Sequence, residues 1–567
     1  MVNLVAVIFI FALRLWIWKF FPSLESGIKD DLSNMIIASC IFVLAVFFFS
    51  RKMFRRETCV KSGLEAPLTL FLAAAALSLG WSVDQGASVK ALVMLLAYVI
   101  YFYILLEVFA GAKRRRAFLW AFFAGGLVVA ALGVNDIIIL NHTPAATIEA
   151  ARLTNRSLYY ILTHKRACSL FGWPNVLVAF LMLVMPLAVA FFMSVKAVAG
   201  KVLVALAGLV CVAAFFYTFS FLGWSIFLAC SAFMFIVLAR TGVVHVKPAM
   251  LRAGSVAVVL IALLFFGVIH KKNFGESMTP RKEYWRVVCS VIGEHPFTGT
   301  GIGTYRYAST RYVTSLEGLT AFPHNSYAQI WAETGLAGLA GMLWLIALLI
   351  LLAWEKLRHL RDEKEMWFLI AAIWGIGAFL VENINSFTML KPNISFFFWT
   401  WLAVFCSYAR REEPFAFWVK ARPFVMAAFL AAAIMGLFLS MRTGVSLVAL
   451  RAGNDLANAG KFNPARQLYA RARVLDPLSV NILTAQGNLY FRAFNATRQS
   501  GWLDHTEQAF VQASDLSPSF YYNFLALSSV HAIRGDAAGA KSYYRRALEL
   551  SPFEAERDTA IFFQQKQ

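Results

Sequence analysis

The sequence predicts an all-α fold, a polytopic membrane bundle of about 12 to 13 transmembrane helices with a large loop on one side and a C-terminal α-solenoid. Three observations predict it. Hydrophobic residues make up 60% of the 567 and charged residues 15%, with a mean hydropathy of +0.65, more apolar surface than a soluble globule can cover. Apolar runs of roughly 20 residues, the length a helix needs to cross hydrocarbon, recur between charged loops as far as residue 441. Beyond it, short amphipathic segments repeat a pattern of their own.

The expected spans are 2–21, 33–50, 66–82, 88–110, 117–140, 169–195, 202–219, 222–239, 253–269, 328–354, 367–385, 394–410 and 423–441. Between the seventh and eighth only Ser220 and Gly223 punctuate an apolar stretch too long to cross once. Alternate short loops are basic: Arg51, Lys52, Arg55 and Arg56; Lys113 through Arg116; Lys356, Arg358, Arg361 and Lys364; Arg410, Arg411, Lys420 and Arg422. The loops between them hold few cations, among them Lys29, Lys90 and Lys391. Positive loops stay in the cytoplasm, so the N-terminus is expected inside and the C-terminal part outside. The net charge of +21 then reads largely as a topology signal, and no nucleic-acid partner is expected. Arg14, Lys19 and the bulky Trp16, Trp18 and Phe20 leave the first span without a small-residue cleavage site, so it reads as an anchor. Seven cysteines show no framework spacing, and neither a metal cluster nor a nucleotide-binding fingerprint stands out. Neither metal nor cofactor is expected.

The chain divides into a membrane domain, 1–441, and a repeat domain, 442–567. Gly460, Gly501 and Gly535 align; five residues on stand Ala465, Thr506 and Ala540, nine on Tyr469, Phe510 and Tyr544, twelve on Ala472, Ala513 and Ala547, seventeen on Pro477, Pro518 and Pro552. A glycine turn, small residues where helices touch, an aromatic in the groove and a closing proline are the physics of a helical-hairpin solenoid. The pattern resembles the tetratricopeptide repeat, which admits either a packing module or a surface for a periplasmic protein partner or glycan.

The other soluble part is the outer loop at about 270–327. It holds Arg281, Tyr284 and Trp285, then His295, Pro296, Gly299, Gly301 and Gly303, and ends in His324 and Asn325, with Glu333, Thr334, Gly335 and Gly338 following in the next span. Loops of this length in a compact bundle are usually functional or disordered, and its aromatic and glycine content argues for order. These segments, with Arg166 and Phe171-Gly172-Trp173-Pro174-Asn175 at the entry to the sixth span, resemble the O-antigen ligase and polymerase superfamily of bacterial membrane glycosyltransferases. The likeness covers about residues 60–410.

The resemblance implies a protein of the bacterial inner membrane. It implies transfer of a glycan from undecaprenyl diphosphate, on the periplasmic side, to a hydroxyl of a glycan, a lipid A core or a protein. A diphosphate leaving group needs cationic stabilisation, which a guanidinium provides through paired bonds to phosphate oxygens. Arg281 is the first candidate, with Arg166 and Lys90 as helpers. The acceptor hydroxyl needs a base near neutrality, the role expected of His324. Tyr284, Asn325 and Glu382, the last with Asn383 and Asn385 beside it, are candidate contacts to the substrate. Each has a plainer reading: a snorkelling Arg281, a helix-capping His324, anchoring Arg166 and Lys90, a solvated helix end at Glu382. His295 reads as a structural turn. One departure stands out: the family's Thr-x-Ser-Arg segment is here Thr218, Phe219, Ser220, Phe221, so either Lys90 or Arg166 supplies the missing cation or this chain handles its donor differently. Polymerisation or ligation of a surface polysaccharide is the leading expectation, with protein O-glycosylation, and a non-enzymatic transporter or export scaffold, as alternatives.

Overall fold

The computed structural model describes residues 2–17, 26–57, 60–154, 156–240, 270–315, 318–360, 362–409 and 416–564. Among them every regular element is helical. The first half of the bundle is α1 (Val2–Trp16), α2 (Ser26–Phe54), α3 (Glu65–Leu77), α4 (Gln85–Val108), α5 (Ala112–Asn141), two short helices α6 (Ala145–Thr154) and α7 (Arg156–Thr163), then α8 (Pro174–Ser194), α9 (Val198–Tyr217) and α10 (Phe221–Arg240). The span expected at 253–269 lies outside the described residues. Nine of the described helices are long and apolar enough to cross a membrane, so the chain is a polytopic helical membrane protein.

The outer segment is largely helix, not loop: α11 (His270–Glu294) fills its first part, and a single turn, α12 (Tyr305–Ala308), follows the glycines. The bundle resumes with α13 (Ser326–His359), α14 (Glu363–Glu382), α15 (Pro392–Ala409) and α16 (Ala416–Asn458). Starts and stops follow local chemistry. Asp84 and Asp362 accept the backbone N–H groups at the starts of α4 and α14, donors that have no partner within a helix. Phe219 turns left-handed at φ 48° between α9 and α10, which makes two helices of the apolar stretch around Ser220.

Helices α16 and α2 lie along each other, as do α14 and α8, α13 and α3, and α15 and α4. Phe11, Phe122, Phe180, Phe397 and Trp401 interleave in the core between them. At the end of the bundle rich in basic loops, Lys52 pairs with Glu107 at 2.7 Å, and Glu365 takes both Arg115 and Arg116 while Arg115 lies 3.9 Å over the Tyr408 ring.

The boundary expected at 441 falls inside α16, one helix of 43 residues, about 65 Å long at 1.5 Å per residue. Composition turns from apolar to amphipathic there, but no proline stands between Val425 and Asn458 to break the helix, whose one proline is Pro423; Gly460, at φ +73°, makes the first turn. Helices α17 (Phe462–Leu475), α18 (Val480–Thr497), α19 (Ser500–Leu516), α20 (Tyr521–Ile533), α21 (Ala537–Leu550) and α22 (Pro552–Gln564) follow, each packed on the next. Ala465, Tyr469, Ala472, Thr506, Phe510 and Ala513 are buried at the aligned positions. In the second copy the left-handed turn is taken by Arg498, at φ 57°, and not by Gly501, which lies within α19.

These helices rest on the end of the bundle where the candidate residues lie. Ser519 donates to the Val83 carbonyl at 3.2 Å, Thr310 to that of Leu550 at 3.2 Å, and Phe553 joins a small core with Val287, Val291 and Tyr305.

Candidate functional site

His324 sits at the entry to α13, and the entry is bolted down residue by residue. Asn325 is the N-cap: its side-chain oxygen accepts from Tyr327 N at 3.1 Å and Ala328 N at 3.0 Å. Capping therefore falls to Asn325, whose oxygen is engaged, and not to His324. Ser326 donates to Asn383 Oδ1 at 2.7 Å, and Asn383 also accepts from Met389 N. Tyr327 Oη donates to the Leu380 carbonyl at 2.7 Å. The start of α13 is thus fastened to the end of α14, and His324 is held at φ 53°, a strained conformation for a non-glycine residue of the kind found at functional positions.

Around the imidazole, Tyr284 of α11 stacks in parallel at 4.9 Å between ring centroids and 16°, and Phe387 meets it edge-on at 4.8 Å. Nδ1 is buried without a hydrogen-bond partner. Burial, and then the Arg281 guanidinium, push the His324 pKa down to about 3, so the imidazole is neutral at neutral pH. Arg281 lies within electrostatic reach of His324, Glu382 and Arg166, and burial lowers its own pKa. Arginine stays charged even so.

Glu382 is no solvated helix end. It is 6% exposed and accepts from Thr388 Oγ1 at 3.0 Å. Asn383, fully buried, donates to the Phe379 carbonyl and to Glu382 and accepts from Ser326, Thr388 and Met389 N, while Asn385 lies in the turn after α14.

Arg166 reaches the group from the loop before α8. Its Nε donates to the Thr218 carbonyl at 2.7 Å and an Nη to Asn175 Oδ1 at 3.3 Å, and Ser220 Oγ bonds the same oxygen. The loop is held by Asp136 of α5, whose carboxylate accepts from Cys168 N and Ser169 N. A guanidinium therefore lies against the Thr218–Ser220 segment, and Phe221 packs edge-on against Trp224. Lys90 does not join the group: it pairs with Asp476 of the C-terminal helices at 3.4 Å. The structure thus brings together His324, Arg281, Tyr284, Glu382 and Arg166, with Asn325 as the cap, and places Lys90 at the contact with the repeats.

The glycine turn supports this arrangement. Thr300 N and Gly301 N donate to the carbonyls of Ala332 and Glu333, each at 2.9 Å, and Leu336 N to that of Pro296 at 3.1 Å. The Glu333 carboxylate accepts from Gly303 N at 2.7 Å, Tyr305 N at 3.2 Å and Gln329 at 2.9 Å. Gly335, at φ 67° and ψ −172°, breaks α13 where the turn crosses it, and a Cβ there would stand 2.0 Å from the Phe297 carbonyl oxygen. His295 is exposed, and its carbonyl accepts from Gly299 N at 3.0 Å, a part in the turn. Sequence reasoning passed over Phe387, Ser326 and Asp136. Asp136 sits in an apolar run, Phe387 is a lone aromatic in the turn between two spans and Ser326 stands beside a stronger motif, so nothing local marks them.

Residues 202–343 match a family model described as O-antigen ligase. The matched stretch holds Arg281, Tyr284, the glycine turn, His324, Asn325 and the start of α13; Lys90, Arg166 and Glu382 fall outside it. No curated protein matches this chain.

Proposed function

We propose, from an O-antigen ligase match that spans both the Arg281 and the His324 segments, that this protein is a membrane glycosyltransferase. It moves a glycan from undecaprenyl diphosphate to an acceptor hydroxyl on the periplasmic side, in polymerisation or ligation of a surface polysaccharide. The observation that carries this reading is the meeting of a guanidinium and a neutral imidazole from separate segments, within electrostatic reach of each other, with Arg166 within reach of the guanidinium.

In this reading Arg281 and Arg166 bind oxygens of the diphosphate. The acceptor oxygen attacks the anomeric carbon; the bond from that carbon to the phosphate oxygen breaks, and its electron pair leaves on the diphosphate. The hydroxyl proton passes to His324 and then to solvent. Burial, and then the Arg281 cation, hold the imidazole pKa down; the diphosphate charge offsets the Arg281 part, which makes His324 a better base when substrate arrives. Tyr284 keeps the ring in plane. In this reading the guanidinium cations take up the charge that develops on the leaving diphosphate.

Purified protein given lipid-linked oligosaccharide should release free undecaprenyl diphosphate together with a longer or transferred glycan. His324→Ala and Arg281→Ala should each lower turnover by 100-fold or more, on the order expected for a lost general base or phosphate clamp, in protein that still folds. Wild-type turnover in both variants would remove the proposed site; the absence of product from the wild type would favour a transporter or scaffold. Mass analysis of the glycan on carrier, lipid A core or protein assigns the acceptor.

A further inference from the structure

Lys391 lies in the turn between α14 and α15, and no carboxylate of the described residues comes within ion-pair distance of its ammonium, 4.0 Å. It is 7% exposed. Its nitrogen stands 5.7 Å from the Trp173 ring centroid and 6.0 Å from that of Phe387, the range of a cation–π contact. Phe387 is the ring that meets His324 edge-on, so one aromatic side chain touches both. The backbone here is fixed: Lys391 N donates to the Phe387 carbonyl at 3.2 Å, the Lys391 carbonyl accepts from Ser395 N, and Tyr98 Oη donates to the Pro392 carbonyl at 2.7 Å.

The charges around it do not cancel. Asp30 of α2 attracts the ammonium from beyond ion-pair distance, and Arg14 of α1 opposes it. Arg14 is itself 3% exposed; one nitrogen donates to Asn34 at 3.0 Å, while Nε and Nη1 are buried without hydrogen-bond partners. Two buried cations thus face one carboxylate. Burying an unmatched charge is costly unless a ligand supplies the counter-charge. Trp173, 42% exposed, carries this contact to the surface of the bundle.

We propose that Lys391 is an anion-binding residue of the candidate site, its ammonium taking a phosphoryl oxygen of the lipid-linked diphosphate between Trp173 and Phe387. This rests on the reading that the site takes such a donor. Lys391 then stands across Phe387 from His324 and adds a second cationic contact on that side of the substrate.

The test uses the full chain in nanodiscs of phosphatidylcholine, titrated with undecaprenyl diphosphate, for the wild type, Lys391→Gln, Lys391→Arg and Arg281→Ala. Lys391→Gln should weaken binding about tenfold or more, as loss of a charge-assisted bond does, while Lys391→Arg stays close to the wild type. Without ligand, Lys391→Gln should unfold at or above the wild-type temperature, since the buried charge has no ion-pair partner to lose. Unchanged affinity in Lys391→Gln alongside lost affinity in Arg281→Ala would overturn the Lys391 assignment and leave the donor reading standing. A Lys391→Gln protein that unfolds earlier and binds normally would make the lysine structural. Failure of the wild type to bind would sink the donor reading and this assignment with it. Discs of phosphatidylglycerol without donor provide the last arm: stabilisation there that depends on Lys391 would assign the phosphoryl group to bulk lipid and overturn the donor contact.

Discussion

His324 pays for its position in protons. Unfolded, its imidazole titrates near 6.5; folded, it resists protonation down to about 3. Between those values the unfolded chain binds more protons than the folded one, so stability falls as pH falls through that window, with a slope of at most about 1.4 kcal/mol per unit for this one group. The wild type should therefore lose thermal stability from pH 6.5 to pH 4.5 faster than His324→Gln, which has no proton to take up. Equal slopes in the two proteins would mean the imidazole is not held neutral. At this scale the sequence was legible where the chemistry is local. Arg281, Tyr284 and His324 stand in short motifs, and the structure brings them to one place. Asn325 was read as a substrate contact, yet its oxygen caps α13; a cap and a ligand contact call for the same side chain, and only the donors facing it tell them apart. Lys90 was illegible for a different reason, since its partner Asp476 comes from the far end of the chain.

At the scale of elements, the glycine turn and the kink in α13 form one joint. Gly335 holds a conformation that L residues avoid, against the Phe297 carbonyl. Gly335→Ala should therefore cost at least about 2 kcal/mol and should abolish turnover by shifting the turn that Glu333 grips. Gly377 of α14 is the control, with nothing within 4 Å of an added Cβ; alanine there should be neutral or raise stability by about 0.5–1 kcal/mol, as in any helix interior. A thermal melt with the activity assay checks both, and equal melting temperatures would dissolve the joint. The family-like spacing of Glu333, Thr334 and Gly335 was visible in sequence, but the reason for it was not: the glutamate carboxylate holds backbone N–H groups thirty or so residues upstream. Near Phe221, Arg166 of another loop lies against Thr218, a contact that packing makes and the local sequence does not show.

For the whole molecule, the C-terminal helices and α11 share the end of the bundle where the candidate residues meet, opposite the Lys52–Glu107 and Arg115–Glu365 pairs. The basic-loop bias predicts that end outside the cytoplasm. Cys289 of α11 is exposed, whereas the other described cysteines are buried or half-buried. A membrane-impermeant maleimide should therefore label Cys289 in intact spheroplasts and leave Cys289→Ser unlabelled; labelling only after permeabilisation would invert the orientation. By itself the sequence determined that this chain spans a membrane many times and that amphipathic helical segments follow. Hydrophobic length and repeat period run along the chain, and the bilayer and the helix impose them directly. Only the tertiary structure decided which charges meet: Arg281 with His324, Arg166 with Thr218, Lys90 with Asp476, Lys391 with Trp173. Hydrogen bonds and ion pairs act over a few ångströms, and that proximity arises from how the helices pack, which the spacing of residues along the chain does not encode.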